Sequence, residues 1–322
     1  MKRWVSLFCV VSLLLGPQIA MAQSSEKGVN GKSSTNRVQQ QSSEQPQELM
    51  KRYAPRLIFD KSESYYPMSV EKSFPYFDRE KRDDGNYSLK TKENLEDPDS
   101  TLPFFNGDLS TSKIYAYYIK RSDNVVDIVY WVFYPYNQGK KVAWWTLGNH
   151  VGDWEHVTVR LTNSSPSQVY LSAHSGGSTM GWDDAPKVGG THPIAYVAKG
   201  SHGMYKDAGK HVYGFSLGSL IDVVDYTSDG KVWDPWNVDA LSYFVSKDNG
   251  ETYDSTPSWM RKDFTSTPSG KNATDPASGA IYMWGNSSDG TCFGSECELG
   301  DGPTGPSAKD DIMKNSPDND VN

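Results

Sequence analysis

Along most of the chain, short runs of apolar and aromatic residues alternate with clusters of turn-forming residues. Residues 53–59, 114–119 and 125–134 are rich in aromatic and β-branched side chains, a pattern that predicts strands. The same pattern predicts further strands at residues 155–161, 169–173, 194–198, 219–224 and 281–284. No segment shows a sustained helical period, and only residues 241–245 and 258–264 are candidates for short helices.

The abundance of turn formers decides between fold classes. The chain contains 28 Gly, 18 Pro and 12% aromatic residues. Many short strands with such turns favour a β-sandwich over an α/β sheet with crossover helices. We therefore predict an all-β fold, a β-sandwich with long loops and few short helices.

The N-terminus has the three-part pattern of a secretory signal peptide. Lys2 and Arg3 precede an apolar run over residues 5–15, and Ala20-Met21-Ala22 offers a cleavage site. The apolar run is about half the ~20 residues that a transmembrane helix needs. The sequence thus predicts a signal peptide over residues 1–22, no transmembrane segment, and a secreted, periplasmic or extracellular protein.

Composition divides the remaining chain into three parts. Residues 23–47 are polar and predict a flexible linker, residues 48–306 the β-sandwich domain, and residues 307–322 a disordered tail. A net charge of -8 argues against nucleic acid as a partner, because no basic surplus exists to release phosphate counterions. The sequence does not indicate an oligomeric state.

Three cysteines occur, and Cys9 belongs to the predicted signal peptide. Cys292 and Cys297 therefore remain in the mature protein. In an oxidising compartment two such cysteines predict a disulfide that closes a small loop, with a metal-binding pair as the alternative.

Candidate chemistry is concentrated in the middle of the chain, where all six histidines lie between positions 150 and 211. In an extended strand, Asp153 and Glu155 point to the same face, because side chains alternate with period two. Two neighbouring carboxylates repel, so a divalent cation, an arginine or a lysine is expected between them. His150 can supply a third ligand. Such a mixed site suits Mg²⁺, Mn²⁺, Ca²⁺ or Zn²⁺, and the alternative is a hydrogen-bonded network that closes the end of the sandwich.

Four further residues are candidates for binding the ligand or supporting the site. His174 and His202 follow or precede glycine-containing turns and are expected to line the metal cleft. His156 and Trp154 lie within the same motif as the predicted metal ligands. A structural hydrogen-bonding role is the alternative for each histidine. A serine nucleophile beside His174 is disfavoured, because adjacent residues on a strand point to opposite faces and no nucleophile elbow is present.

The order of these motifs resembles the family named after yeast vacuolar protein sorting-associated protein 62. The likeness covers roughly residues 50–306, and a related plant family of unknown function is similar. It rests on Tyr53-Ala54-Pro55, Glu63, Tyr66-Pro67, Tyr130-Trp131 through Asn137, His150 through His156, Ser172-Ala173-His174 and Ala198 through His202. The resemblance implies little about mechanism, because the activity of that family is poorly defined.

The segment from Asn149 to Glu155 also resembles, more distantly, the heptapeptide Gly-His-Arg-His-Asp-Trp-Glu of the necrosis- and ethylene-inducing cytolysins. In that family a cation at the rim of a β-sandwich engages sugar headgroups of sphingolipids. The resemblance implies that His150, Asp153 and Glu155 bind the ion. This chain departs from the motif at Asn149, Val151 and Gly152, and Val142 stands where those proteins have a further Asp, so toxicity is not implied.

Three functional hypotheses follow. The first is an exported protein that uses a cation at His150, Asp153 and Glu155 to bind a glycan or lipid headgroup at a cell surface. The second is a secreted metal-dependent hydrolase in which the cation activates water and His174 or His202 moves protons. The third is an interaction module whose polar cluster is structural and holds no metal.

Overall fold

The computed structural model describes residues 44–83, 87–91, 104–142, 145–174, 176–216, 221–255, 257, 282–285, 292–293, 296–297 and 302–306. These residues all belong to one unit, Glu44–Asn322. The predicted signal peptide, most of the predicted linker, the predicted helix at 258–264 and the predicted tail lie outside the described residues.

Strands dominate the described part of the chain. They are β1 (Arg56–Phe59), β2 (Phe77–Lys81), β3 (Tyr87–Thr91), β4 (Ile114–Lys120), β5 (Val125–Asn137), β6 (Lys140–Val142), β7 (Trp145–Leu147), β8 (His150–Thr162), β9 (Ser165–Ala173), β10 (Gly176–Gly181), β11 (Lys187–Val188), β12 (His192–Val197), β13 (Met204–Tyr205), β14 (Gly209–Ser216), β15 (Ile221–Thr227), β16 (Val232–Trp233), β17 (Leu241–Ser246), β18 (Tyr282–Met283), β19 (Cys292–Phe293) and β20 (Glu296–Cys297). The helices are α1 (Pro46–Arg52), α2 (Val70–Ser73) and two 3₁₀ turns, Phe74–Tyr76 and Pro235–Asn237. The all-β prediction is confirmed.

A six-stranded sheet in the order β10-β9-β8-β5-β4-β17 forms the centre of the fold. Its two longest strands, β5 and β8, have 13 residues each and pair antiparallel. Both are rich in β-branched and aromatic side chains, which pack well on a pleated surface. Nearly every residue of β5 and β8 is buried, so both faces of this sheet are covered.

The first face packs against a five-stranded sheet made of β11, β12, β1 and β16, with β13 added on β12. The core between them includes Leu57, Phe59, Ala195, Val197 and Trp233 from the smaller sheet and Ile128, Tyr130, Val132, Val157 and Val159 from the larger one. Two sheets packed face to face form the predicted sandwich.

The second face of the central sheet carries an aromatic core. It includes Trp131, Phe133, Trp154, Phe104 and Trp284, all fully or almost fully buried. Burying a large side chain of this kind stabilises a fold by about 1.5–3 kcal/mol. The aromatic runs of the sequence are therefore used mainly as core.

One irregularity fixes where the functional residues lie. Tyr134 belongs to the first core and Tyr136 to the second, although alternation would place both on one face. On β8, Gly152 sits at the same level with φ +74°, and a Cβ there would lie 1.8 Å from the carbonyl oxygen of Trp284. Both strands thus change face between Tyr134 and Tyr136, and only glycine fits the turn.

One local prediction was wrong. Residues 241–245 form strand β17, which pairs parallel with β4, instead of a short helix. The side chains Leu, Tyr, Phe and Val of this segment suit a strand, and β4 offers it an open edge. Helix α1 begins at Pro46, inside the predicted flexible linker, and buries Met50 in the first core. Leu49 packs against the same core, and the hydroxyl of Tyr130 donates to the carbonyl oxygen of Met50 at 2.9 Å, so the helix is held to the sheet.

The C-terminal described segments bear on the predicted disulfide. Strands β19 and β20 pair antiparallel with Cys292 directly opposite Cys297. Opposed residues of such a pair lie about 4.5–5.5 Å apart at Cα, within the range that a disulfide spans. The disulfide stays a prediction.

Among the described residues, no helix is long and apolar enough to cross a membrane.

Candidate functional site

Asp153 and Glu155 lie at the end of β8 that follows the glycine turn. They pair across the sheet with Tyr134 and Val132 of β5. Their exposed fractions are 7% and 4%. Val157 and Val159, on the same face by alternation, belong to the first core. The two carboxylates therefore continue an apolar stripe, as the alternating pattern predicted.

Each carboxylate accepts hydrogen bonds from other strands or loops. The Nδ1 atom of His202 lies 2.9 Å from Oδ2 of Asp153, and the backbone N–H of Trp154 donates to Oδ1 at 2.9 Å. The hydroxyl of Ser172, on β9, donates a short hydrogen bond to Glu155. The same Ser172 oxygen accepts a hydrogen bond from the backbone N–H of His156 at 2.7 Å. Ser172 therefore links the Glu155 side chain to the backbone of β8, the strand that carries Glu155.

His202 is fully buried and contacts acceptors at both ring nitrogens. Its ring stacks on Tyr134 with 3.8 Å between centroids and 8° between planes. Nε2 lies 3.1 Å from the carbonyl oxygen of Tyr65, while Nδ1 faces Asp153. A carbonyl oxygen can only accept a hydrogen bond, so Nε2 is the donor to Tyr65, and the two ring nitrogens together tie His202 to Tyr65 and Asp153.

The hydroxyl of Tyr134 is buried and has no hydrogen-bond partner within the part of the chain that the structure describes. Burial raises the pKa of Tyr134 well above its usual value, and the charges of Asp153, Glu155 and Glu63 raise it further. Three carboxylates thus act on one unsatisfied hydroxyl. The sequence predicts only a strand at Tyr134, and it indicates no function for Glu63 in a site.

Glu63 comes from the turn after β1, and three backbone N–H groups hold its carboxylate. Its Oε1 accepts the N–H groups of Ser64 and Tyr65, both at 2.8 Å. Its Oε2 accepts the N–H of Gly200 at 2.8 Å. These three bonds fix the carboxylate in place while it is only 7% exposed.

Gly200, Ser201 and His202 bind three different carboxylates although they are consecutive in the chain. Gly200 donates to Glu63, Ser201 to Asp225 at 2.5 Å, and His202 contacts Asp153. His202 adopts φ +60°, an uncommon conformation for a residue other than glycine. This three-residue segment, the connector 200–202, joins the carboxylates of the site to a second polar cluster.

The second cluster is centred on Asp225 of β15, which is completely buried. Besides Ser201, it accepts from Lys140 at 2.5 Å, His174 at 2.8 Å and Tyr205 at 2.8 Å. Burial alone would raise the pKa of Asp225, but the hydrogen bond from His174 and the charge of Lys140 together hold it well below its usual value. Asp225 is therefore ionised at neutral pH.

His174 belongs to this second cluster and not to the immediate surroundings of Asp153. His174 directly follows β9 and adopts φ +57°, and its side chain is 24% exposed. The buried Asp225 orients the imidazole through Nε2, an arrangement that enzymes use to hold a proton-transferring histidine. The two histidines predicted to line one cleft therefore contact different carboxylates: His202 contacts Asp153, and His174 contacts Asp225.

His150 lies at the start of β8, with Nδ1 2.7 Å from the carbonyl oxygen of Gly152. Burial lowers the pKa of His150, and the charge of Asp153 opposes that effect. A neutral imidazole is the form that binds a metal. His150 is therefore close to Asp153 and in the right protonation state.

His156 and Trp154 lie on the opposite face of β8 and are not brought to the carboxylates. The His156 ring packs between Trp131 and Tyr170, at centroid distances of 4.3 and 5.2 Å, and is 1% exposed. Trp154 belongs to the aromatic core. The alternation that brings Asp153 and Glu155 together necessarily turns these two residues away, so their position is that of structural residues.

The predicted cation can be compared with the donors present. No group of three His, Cys, Asp or Glu side chains in the described segments already surrounds one point as metal ligands would. Asp153 and Glu155 are instead engaged with His202 and Ser172. The donor set nevertheless suits a hard divalent cation, since it is rich in carboxylate oxygen, and the Tyr134 hydroxyl remains unsatisfied beside it.

Comparison with known proteins finds two similar proteins of yeast. Residues 75–231 match the family model described as vacuolar protein sorting-associated protein 62. The chain is 26% identical over 183 residues to vacuolar protein sorting-associated protein 62 of Saccharomyces cerevisiae, covering 50% of this chain and 38% of that protein. It is 30% identical over 166 residues to the vacuolar protein sorting-associated protein TDA6 of the same yeast, covering 45% and 33%. The chain therefore spans only 38% and 33% of the length of these two relatives.

The similarity of the chain to solved structures is more distant. One, described as a toxin fold for microbial attack and plant defense, is 20% identical with a TM-score of 0.36 and covers 61% of this chain and 72% of the other. The necrosis and ethylene inducing protein 2 from the causal agent of witches' broom disease of cocoa is 16% identical, with a TM-score of 0.33 and coverages of 62% and 74%. Similarity at this level carries no conclusion about function. The resemblance of the chain to the vacuolar protein sorting-associated protein 62 family is confirmed over residues 75–231, which contain Tyr134, Asp153, Glu155, His202 and Asp225.

Proposed function

We propose that this protein is exported and binds a glycan or lipid headgroup at a cell surface through a divalent cation held at Asp153 and Glu155, with His150 beside them. The observation that carries the proposal is the placement of buried carboxylates around the unsatisfied hydroxyl of Tyr134. Buried carboxylates are costly unless a counter-charge or hydrogen bonds compensate them. A cation at this point would add a counter-charge to the hydrogen bonds that these carboxylates already accept.

The chain's own residues would orient the ligand set. Hydrogen bonds from Ser172 to Glu155 and between His202 and Asp153 fix the orientation of both carboxylates. When bound, a hard cation would supply a positive charge able to accept hydroxyl or phosphate oxygens of a ligand. A net charge of -8 makes neutral or zwitterionic ligands easier to approach than anionic ones.

The test is titration of the mature protein with Ca²⁺, Mg²⁺, Mn²⁺ and Zn²⁺ by isothermal titration calorimetry. Asp153→Ala and Glu155→Ala should each weaken binding at least about tenfold, the effect typical of losing a group from a metal site. The exposed Asp123→Ala serves as the control. Metal content of the purified protein with and without His150→Ala tests the third ligand. Unchanged affinity in both carboxylate variants would end the proposal.

Ligand recognition requires a second measurement. Vesicles of a neutral phospholipid with and without a glycosphingolipid should bind the protein differently, and the glycosphingolipid-dependent part should disappear in EDTA. Equal binding to both vesicles would remove the glycan headgroup from the proposal while leaving the cation site standing.

A metal-dependent hydrolase is the second candidate, and one observation favours it. His174 is partly exposed and is oriented by the buried Asp225, as a proton-transferring histidine would be. Assays with glycan, phosphoester and ester panels decide the matter. Cation-dependent turnover that is lost in His174→Gln would favour the hydrolase over the binding protein.

A further inference from the structure

We infer that Glu63 is a further carboxylate ligand of the proposed cation and that the hydroxyl of Tyr134 donates a hydrogen bond inside the occupied site. Neither residue belongs to the segment 149–155 that predicted the site. The inference rests on the proposed cation binding, and its test separates the two.

The first step of the argument is position. Glu63 and Asp153 are 90 residues apart in the chain, yet the connector 200–202 joins them, because Gly200 donates to Glu63 and His202 contacts Asp153. His202 also contacts the carbonyl oxygen of Tyr65, two residues after Glu63. The charge of Glu63 acts on Tyr134 together with those of Asp153 and Glu155. Glu63 is thus part of the same buried polar group.

The second step is preorganisation. Three backbone N–H groups hold Glu63, two at one oxygen and one at the other. An ionised carboxylate has about four acceptor positions, so it can accept these hydrogen bonds and still contribute an oxygen to a cation. A ligand fixed by backbone groups loses little conformational freedom on binding. Three carboxylates and no cysteine form an oxygen-rich set, which suits Ca²⁺, Mg²⁺ or Mn²⁺.

The third step concerns Tyr134, whose hydroxyl is completely buried without a partner in the described segments. Leaving a buried donor unsatisfied is unfavourable, and native structures do so rarely. Its ring stacks on His202, and the charges of Asp153, Glu155 and Glu63 act on its hydroxyl. A carboxylate oxygen that turns to bind a cation, or an oxygen of the bound ligand, would give this hydroxyl its missing acceptor.

The experiment compares cation affinity and thermal stability in four forms of the mature protein. Glu63→Gln keeps the size of the side chain and removes its charge, and we expect Ca²⁺ and Mg²⁺ to bind at least tenfold more weakly. The matched control is Asp60→Asn. Asp60 is also buried in the turn after β1 and hydrogen-bonded to Ser62 and Ser228, but its charge is not among those that act on Tyr134. The affinity of Asp60→Asn for Ca²⁺ and Mg²⁺ should remain within twofold of that of wild type.

Tyr134→Phe gives a readout that a merely structural role would not produce. Without cation its melting temperature should equal or exceed that of wild type, because the hydroxyl has no hydrogen bond to lose. With saturating Ca²⁺ or Mg²⁺ the variant should gain less thermal stability than wild type, and its affinity should fall at least threefold. A lower melting temperature in the absence of cation would show that the hydroxyl already has a structural partner and would overturn this part of the inference.

The outcomes for the two proposals are distinct. If wild type binds none of these cations, the proposed function fails and the inference fails with it. If wild type binds a cation and both Glu63→Gln and Tyr134→Phe bind it equally well, only the inference fails. If Glu63→Gln does not fold, the Tyr134→Phe result decides, since that variant loses no hydrogen bond.

Discussion

The two ends of the strand pair β5–β8 bury charged groups in opposite ways. At one end Asp127, fully buried, lies between two guanidinium groups. Arg121 donates to its Oδ2 at 2.7 Å, and Arg160 donates to Oδ1 at 2.8 Å and to Oδ2 at 2.9 Å. At the other end Asp153 and Glu155 accept from an imidazole, a hydroxyl and a backbone amide. The same two strands thus carry a carboxylate matched by arginine and carboxylates matched by weaker donors.

The difference separates a structural use of charge from a candidate functional one. Both oxygens of Asp127 receive charge-assisted hydrogen bonds, which are roughly twice as strong as neutral ones. At the other end, the negative charges of Asp153, Glu155 and Glu63 all act on the buried Tyr134. Groups kept in such surroundings are candidates for binding or catalysis. Three substitutions test this comparison.

The largest effect is expected at the arginine-matched end. Asp127→Asn removes the charge shared by two buried guanidinium groups, and breaking a buried ion pair costs about 3–5 kcal/mol. Urea unfolding at pH 7 should show this loss, while the cation affinity of the folded variant stays unchanged. The exposed Asp123→Asn, in the turn that precedes β5, should leave stability as it is. A loss of cation affinity in Asp127→Asn would mean that the two ends are coupled.

Asp225 should show an intermediate effect that depends on pH. Its pKa is lowered on folding, so its contribution to stability is present above the ordinary value of 3.8 and is lost as pH falls through the folded value. Asp225→Asn should therefore be less stable than wild type at pH 7 by more than about 1.4 kcal/mol, the equivalent of one pKa unit. The gap should narrow as pH falls below about 4. Urea unfolding of both proteins at several pH values measures it, and a constant gap would contradict the assignment.

The smallest effect is expected at Glu155. Glu155→Gln keeps the shape of the side chain and relieves repulsion from the other carboxylates, so stability without cation should change by less than about 1 kcal/mol. The same urea measurement applies, in EDTA. A loss as large as that of Asp127→Asn would show that Glu155 is a structural charge and would erase the contrast between the two ends.

The sequence predicted what depends on local pattern. Alternation along residues 153–161 predicted that Asp153 and Glu155 share a face with the core stripe, and the cross-strand pairing with Tyr134 shows this arrangement. The same alternation could have shown that Trp154 and His156 point away. Strands β4, β5 and β9 were predicted near their observed bounds because their aromatic and β-branched residues form unbroken runs.

What the sequence did not predict depends on contacts between distant segments. Glu63 reaches the site through Gly200, 137 residues later, and nothing in the local pattern of either residue indicates that contact. Asp225 lies in an ordinary strand pattern, and its four side-chain donors come from four different elements or loops. Residues 241–245 became a strand only because β4 offered a parallel partner.

The connector 200–202 has a consequence for how related chains can be recognised. Its three consecutive residues serve Glu63, Asp225 and Asp153 in turn. Inserting or deleting one residue would shift each hydrogen-bond donor to a different carboxylate, so the length of this segment is constrained even where its flanks vary. A search for Gly-Ser-His without gaps, together with Gly-Asp-Trp-Glu, would therefore select chains that can form these hydrogen bonds, whatever their overall sequence identity.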